Sequence, residues 1–324
     1  MAYYRSIPGR WREDSFFDGA SSTCNAHSAT DTMKLPFKQV DVFTSTPFGG
    51  NPVAVVLDAS LLVETQMRSL ANWTNLSETT FVFPATQPGA DYRLRIFTPR
   101  AELPFAGHPT IGTAHALLEA GLIQPRNGRI IQECRAGLIT VTVTAAPTQF
   151  ERIAFRLPRA DLTPLTQTQT QEMSHILGVS ASGCRPPVFV DVGPVWSVVQ
   201  LPDAQSVLSL QPDLTALASF DGRCGSVGVM VFGHKEPGAT EAIEVRAFAP
   251  ILGANEDPVC GSGNGAVAAY IAATGQRKEV GDRYTASQGS VMGREGRIEI
   301  SFDENDGIYV GGRAMTLIEG TLNL

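Results

Sequence analysis

Arg93–Gly121 reads RLRIFTPRAELPFAGHPTIGTAHALLEAG, and Glu244–Gly275 reads EVRAFAPILGANEDPVCGSGNGAVAAYIAATG. The two stretches are one phrase written twice. Phe97 matches Phe248, Pro99 matches Pro250, Gly107 matches Gly261 and Gly121 matches Gly275, with a small insertion in the second copy. Each copy is an alternating strand, a loop rich in turn residues, and a helix with almost no charge on any face. A helix apolar all round has to be buried on all sides. Each copy is therefore expected to wrap sheet around a central helix. Two such units bring two helix N-termini, with free N–H groups and positive dipole ends, to where they can face one cleft.

The bulk properties bound the rest. A chain of 324 residues suggests two domains of ordinary size. Hydrophobic residues make up 43%, enough for sizeable cores, and 25 basic against 32 acidic residues leave a net charge of −7. That acidic balance argues against nucleic acid as a partner, because phosphate binding needs a basic face. No stretch approaches a membrane span. The five cysteines, Cys24, Cys134, Cys184, Cys224 and Cys260, are dispersed and never form CxxC. They signal neither a disulfide framework nor a zinc site, and reduced thiols in a cytoplasmic protein are the simplest reading.

Residues 1–33 are polar, without periodicity and without the apolar core of a signal peptide. They are read as a disordered leader, with Met33 as the natural start. Strands are expected around Phe37–Phe43 and Val53–Leu57, flanking the turn TSTPFGGNP, and an amphipathic helix over Leu61–Trp73. Further strands follow at NLSETTFVF, Arg129–Gln132, Leu138–Thr144 and Arg152–Leu157. Residues 158–171, PRADLTPLTQTQTQ, read as a linker between a first domain, 34–157, and a second, 172–324, whose last strand is free to return to the first. The second half restates the first, with strands at Val188–Val190, Trp196–Leu201 and Val227–Phe232 and a helical stretch near Ala204–Leu217. Gly296–Phe302 and Ile308–Gly312 form a closing hairpin. This pattern is an α+β fold of two similar domains with mostly antiparallel sheets.

The glycine cluster Gly261-Ser262-Gly263-Asn264-Gly265 invites comparison with a dinucleotide fingerprint. Its spacing is G-x-G-x-G rather than G-x-G-x-x-G, and a long loop precedes it, so no nucleotide cofactor is expected. No metal site is signalled either. Two readings of the helix starts stay open. Backbone N–H groups at Gly107-His108 and Gly261-Ser262-Gly263 suit capture of a substrate carboxylate. Asp257-Pro258 and His108-Pro109 equally suit ordinary capping, with proline at the first helical position. Glu78, at the entry to the apolar run Phe81-Val82-Phe83, is a carboxyl whose pKa would rise on losing hydration, which suits an acid/base near neutral pH. A solvated turn residue is its other reading. Cys260, beside a helix start, is either a thiol of lowered pKa or a small buried hydrophobe.

Taken in order, GGNPVAVV, NLSETTFV, FTPRAELPFAGHPTIGTA and NEDPVCGSGNGA resemble the PhzF family of phenazine-biosynthesis isomerases and related proteins, from about Lys34 to the C-terminus. The resemblance implies the fold of diaminopimelate epimerase: two pseudo-symmetric domains, each a curved sheet around a central helix, with the site between them. It implies Glu78 as the general acid/base, His108 and Asp257 as further catalytic residues, and Gly107 and Ser262 as substrate contacts, to which Cys260, Gly261 and Gly263 are joined. It also implies a homodimer and a cofactor-free proton shift on a small carboxylate-bearing substrate, of the kind used in phenazine-type or other secondary metabolism.

Two positions depart from the pattern. Cys260 stands where the isomerase has threonine and where diaminopimelate epimerase has one of its two catalytic cysteines. The epimerase's other cysteine falls at Ala106. A two-thiol racemase needs a thiol on each face of the carbon, so Ala106 argues against that mechanism. An amino-acid epimerase using Glu78 and Cys260, and a non-catalytic small-ligand binding protein on the same scaffold, are the alternatives.

Overall fold

The repeated sequence produces a repeated order of strand pairing. The computed structural model describes residues 33–145, 150–157, 160–179 and 185–324, so residues 1–32 of the expected leader lie outside the described residues. The first half contains β1 (Lys34–Val42), β2 (Asn51–Val56), α1 (Glu64–Thr74), β3 (Glu78–Phe83), β4 (Tyr92–Phe97), β5 (Glu102–Leu103), α2 (Gly107–Glu119), β6 (Arg129–Cys134), β7 (Gly137–Ala145) and β8 (Phe150–Arg156). β9 (Asp161–Pro164) and α3 (Gln167–Leu177) lead into β10 (Val188–Asp191), β11 (Val195–Gln200), α4 (Ala204–Leu208), α5 (Leu214–Cys224), β12 (Gly228–His234), β13 (Ile243–Ala249) and β14 (Ala254–Asp257). α6 (Gly261–Ala273), α7 (Arg277–Val280), β15 (Arg283–Gln288), β16 (Gly296–Phe302), β17 (Ile308–Gly312) and β18 (Ala314–Asn323) complete the chain.

In the first half β1 is antiparallel to β2, β2 parallel to β3, β3 antiparallel to β4, and β4 parallel to β6. In the second, β10–β11, β11–β12, β12–β13 and β13–β15 repeat those directions in that order. The halves join where β8 pairs with β17. Each half also receives a strand from the far end of the other: β9 pairs with β10, and β18 pairs with β1. The result is an α+β fold of two pseudo-symmetric units, each a curved, mostly antiparallel sheet around one helix.

Those central helices are α2 and α6. Every residue of α2 from Gly107 to Leu118 is buried, and α6 is buried along nearly its whole length. α2 packs against β1, β2, β3, β8 and β18, while α6 packs against β10, β11, β12, β16 and β17. Each fully buried aliphatic side chain, such as Ile111 or Ile271, contributes about 1.5–3 kcal/mol by leaving water. Close packing also dictates glycine at the inner turns. A Cβ at Gly112 would lie 2.4 Å from the Val53 side chain, so β2 could not approach α2 as it does.

Two expectations need correction. The single helical stretch near Ala204–Leu217 is two helices, because Pro212 offers no N–H to continue the first. Each starts on its own aspartate: Asp203 Oδ1 accepts from Ser206 N–H (2.7 Å), and Asp213 Oδ1 from Ala216 N–H (2.9 Å). The stretch 158–171, read as a linker, carries β9 and the start of α3. β9 is polar and partly exposed, and exists because β10 supplies its partner. α3 begins with Thr166 as cap, whose backbone N–H is in turn bound by the Gln169 side chain.

Candidate active site

The N-termini of α2 and α6 meet between the halves. A Cβ built on Gly261 would sit 3.5 Å from Gly107 Cα and 3.3 Å from the His108 nitrogen, and one on Gly107 only 2.7 Å from the Phe155 ring. Among the described residues, none accepts a hydrogen bond from the N–H groups of Gly107, His108, Gly261 or Ser262. Ala106, the α2 cap, has no side chain for the task. Cys260, the α6 cap, takes Gly263 N–H through Sγ at 3.3 Å and Asn264 N–H through its carbonyl at 3.1 Å, neither of them one of these four. Four unsatisfied donors at two positive helix ends make a place for an anion.

Around these ends stand the titratable side chains. Glu78 opens β3, and its Oε2 lies 3.3 Å from Nε2 of His108, the second residue of α2; their side chains are 15% and 6% exposed. Burial pushes the Glu78 carboxyl up to about 7 against a hydrogen bond from Ser77, and the His108 imidazole down to about 4 against the Asp257 charge and the Pro52 carbonyl. Near neutral pH the pair is therefore a half-ionised carboxyl beside a neutral imidazole. An imidazole whose N–H serves the Pro52 carbonyl presents a lone pair at its other nitrogen, and Nε2 faces Glu78.

Asp257, at the end of β14, lies close enough to couple electrostatically to both. Burial pushes its carboxyl up to about 6; His108 and hydrogen bonds from Val259 and Cys260 pull down, and Glu78 pushes up. Cys260 is 5% exposed, and burial, aided by the neighbouring Asp257 charge, holds its thiol well above the usual range. Its place at a helix start does not make it a thiolate; it is a neutral S–H donor toward Asp257. Ser262 Oγ accepts from Trp196 Nε1–H at 3.2 Å and lies 3.7 Å from Cys260 Sγ. Gly263 has no room for a side chain, since a Cβ would come 2.2 Å from Met230 Sδ. The structure thus brings together Glu78, Gly107, His108, Asp257, Cys260, Gly261, Ser262 and Gly263.

The capping reading of Asp257 and His108 is corrected. The helices begin at Gly261 and Gly107, after Cys260 and Ala106, so Asp257 and Pro258 lie outside α6 and Pro109 is the third residue of α2. Asp257 Oδ1 accepts from Val259 N–H (3.0 Å), which turns the chain before the helix rather than capping it.

Three residues around the site escaped the sequence reading. Gln288 spans β15 and the start of α6: its Nε2 donates to the Asp257 carbonyl (2.8 Å), and its Oε1 accepts from Cys260 N–H (3.1 Å) and Asn264 Nδ2 (2.8 Å). Asn51 and Trp196 were read as turn punctuation and strand filling. Asn264 carried the available signal, because an amide inside a helix apolar on every face must find partners. Among the described residues no three His, Cys, Asp or Glu side chains are grouped to hold a metal ion. A cavity of about 600 Å³ opens elsewhere, on the outer face of the first half beside Arg68, Arg93 and Arg95, and none of these site residues lines it.

A model of phenazine biosynthesis-like proteins, PhzC-PhzF, matches residues 40–320. The chain is 43% identical over 291 residues to antisense-enhancing sequence 1 of Schizosaccharomyces pombe, spanning 88% of this chain and 97% of that protein. It is 35% identical over 289 residues to trans-2,3-dihydro-3-hydroxyanthranilate isomerase of Pseudomonas chlororaphis, spanning 88% and 98% of the two. A PhzF-family phenazine biosynthesis protein of Bacillus anthracis, known as a crystal structure, shares the fold with a TM-score of 0.78 at 24% identity, over 90% of this chain and all of that one.

Proposed function

This chain belongs to the phenazine biosynthesis-like PhzC-PhzF family, and from that premise we propose that it is a cofactor-independent isomerase in which Glu78 moves a proton from one carbon of a small carboxylate-bearing substrate to another. The observation that carries the reading is the Glu78–His108 contact: a carboxyl raised to about 7 and held 3.3 Å from an imidazole lowered to about 4. A base matched to neutral pH takes a carbon-bound proton and can give it back, which a solvated carboxylate of ordinary pKa does poorly.

In the proposed reaction the four free N–H groups at the helix ends hold the substrate carboxylate. The ionised Glu78 carboxylate takes the proton, and the electron pair left behind is delocalised through the unsaturated substrate. His108, neutral, accepts a hydrogen bond from the newly formed Glu78 carboxylic acid and steadies it. Asp257 orients the substrate's polar groups. Glu78 then returns the proton to a second carbon from the same side, so no atom is gained or lost.

The matching place in the second half supports chemistry from one side only. Strand pairing puts Gly228 where Glu78 stands, and a Cβ there would meet the Phe248 carbonyl at 2.3 Å. The neutral Cys260 thiol does not replace it as a base, which tells against an epimerase using both residues. Trans-2,3-dihydro-3-hydroxyanthranilate, from the name of the Pseudomonas relative, is the first probe. Turnover should rise with pH through a midpoint near 7, with deuterium from solvent entering the product. A pH-independent rate with no deuterium uptake would refute Glu78 as the shuttle.

A further inference from the structure

Asn51 opens β2 and is 1% exposed, yet its side-chain amide is turned to the site on both its nitrogen and its oxygen. Its Nδ2 donates to Asp257 Oδ1 (3.1 Å) and to the Val259 carbonyl (3.0 Å), both in the second half and more than 200 residues away in sequence. Its Oδ1 accepts from the Ser77 hydroxyl (3.3 Å), the residue before Glu78. Pro52, next in the chain, gives its carbonyl to His108. One residue further, Val53 lies opposite Glu78 in the β2–β3 ladder. Three consecutive residues therefore touch the supports of all three titratable side chains.

We propose that Asn51 is the positioning residue of the site, fixing the Asp257 carboxylate of the second half in register with the Glu78–His108 pair of the first. The inference rests on the isomerase reading for its purpose, and on geometry for its substance. An amide is the group that fits. One nitrogen supplies two hydrogens to two acceptors, and the oxygen takes a donor from the opposite side. Aspartate at this place would set acceptors against acceptors, and leucine would leave Asp257 Oδ1 with Val259 N–H as its one remaining backbone donor. Gln288 grips the Asp257 backbone from the other side, so Asn51 governs the carboxylate while Gln288 governs the turn.

The groups that face Asp257 are Glu78, His108 and Cys260, and the sign of their response separates positioning from general loosening. Removing the Asn51 donor destabilises the charged form of Asp257, so its midpoint rises. Asp257 is then less often charged, its repulsion of Glu78 weakens, and the Glu78 midpoint falls. A fold merely opened to water loses the burial that raises both carboxyls, so both midpoints fall together.

The test is a carboxyl ¹³C NMR titration of the full chain labelled at Asp and Glu, with signals assigned by Asp257→Asn and Glu78→Gln. In Asn51→Ala the Asp257 midpoint should rise by about one unit and that of Glu78 should fall, as expected for loss of one hydrogen bond to a charged group. Ser77→Ala, which frees the Asn51 amide without removing it, should raise the Asp257 midpoint by less and serves if Asn51→Ala fails to fold; its Glu78 midpoint rises instead of falling, because the Ser77 hydroxyl itself holds the Glu78 carboxyl down. Asn51→Ser, with one donor, should lie between Asn51→Ala and the unaltered chain. An unchanged or lowered Asp257 midpoint in the folded variants overturns the proposal. The titration needs no substrate, so a failure of the unaltered chain to turn over trans-2,3-dihydro-3-hydroxyanthranilate would count against the isomerase reading alone.

Discussion

Matched through their strand pairings, the halves put Glu78 opposite Gly228, Ala106 opposite Cys260, and Arg95 opposite Arg246. The backbone repeats while the side chains divide the work. The first half carries the Glu78–His108 contact, and the second carries Asp257 and the capped helix end. The outer faces differ as well. In the second half α3, α4 and α5 cover the sheet with an apolar cluster that includes Met173, Val207, Leu217 and Phe220. In the first, α1 alone supplies Met67, Leu70 and Ala71, and the rest of the face stays open as the 600 Å³ cavity. In the proposed reaction one copy of the duplicated frame supplies the proton chemistry, and the other, covered on its outer face, supplies rigid support.

The largest expected effect tests the division itself. Glu78→Gln should lower turnover and solvent deuterium exchange by about a hundred- to ten-thousandfold while the fold survives, measured by steady-state rate and mass spectrometry. The same variant carries a stability signature. Burial raises the Glu78 carboxyl from 4.5 to about 7, so between those values the native state binds more protons than the unfolded state, and stability falls as pH rises. Relative to the unaltered chain, Glu78→Gln should therefore gain about 1–3 kcal/mol at pH 8 over its value at pH 4, read by urea unfolding at the two pH values.

The Arg–Glu pairs sharpen the contrast in support. Arg246 is clamped by Glu256 through two 2.9 Å bonds, donates to the Val207, Leu208 and Leu210 carbonyls, and has a side chain 5% exposed. Arg95 holds Glu102 in the same bidentate way, but at 23% exposure on the open face. Arg246→Ala should cost about 3–5 kcal/mol, because it strands a carboxylate and three carbonyls. Arg95→Ala should cost about 1 kcal/mol. Equal losses in chemical denaturation would break the claim that the second half is the rigid one.

Gly107→Ala drives a methyl into the Phe155 ring at 2.7 Å, whereas Gly261→Ala meets nothing closer than 3.3 Å. The first should destabilise by about 1–3 kcal/mol and the second by less, with melting temperature as the measure. The smallest change is expected at the cysteine. Cys260→Thr keeps a donor toward Asp257, so turnover should stay within about fivefold of the unaltered chain, the scale of one exchanged hydrogen bond. Abolition of activity in that folded variant would restore the thiol as a chemical participant.

Much of the frame was legible in the chain. The repeat fixed two helices without a polar face, and such helices have to be surrounded. The alternating strands around Phe97 and Phe248 marked what surrounds them. What stayed hidden was whatever depends on a distant partner. β9, exposed and polar, has no local reason to be a strand, and β18 declares nothing of its pairing with β1. Trp73 fits a helical stripe yet stands 78% exposed, while Met67, Leu70 and Ala71 of the same helix are buried. At the site, Glu78 and His108 were found by motif and by their flanks. Asn51 and Gln288 were not, since an amide in a turn or at a strand end looks the same whether it faces solvent or a buried carboxylate.

The sequence by itself determined that there are two copies of one folding unit, that each has a buried helix opened by a glycine-rich turn, and that one carboxylate sits at the edge of an apolar run. These are matters of periodicity and composition, which short stretches of chain carry within themselves. Only the tertiary structure decided which groups are charged. Glu78, His108, Asp257 and Cys260 all depart from their ordinary pKa values, and burial between the halves is the first cause in every case. Desolvation is a property of the whole surrounding volume, assembled from residues far apart in the chain, and no local pattern of residues encodes it.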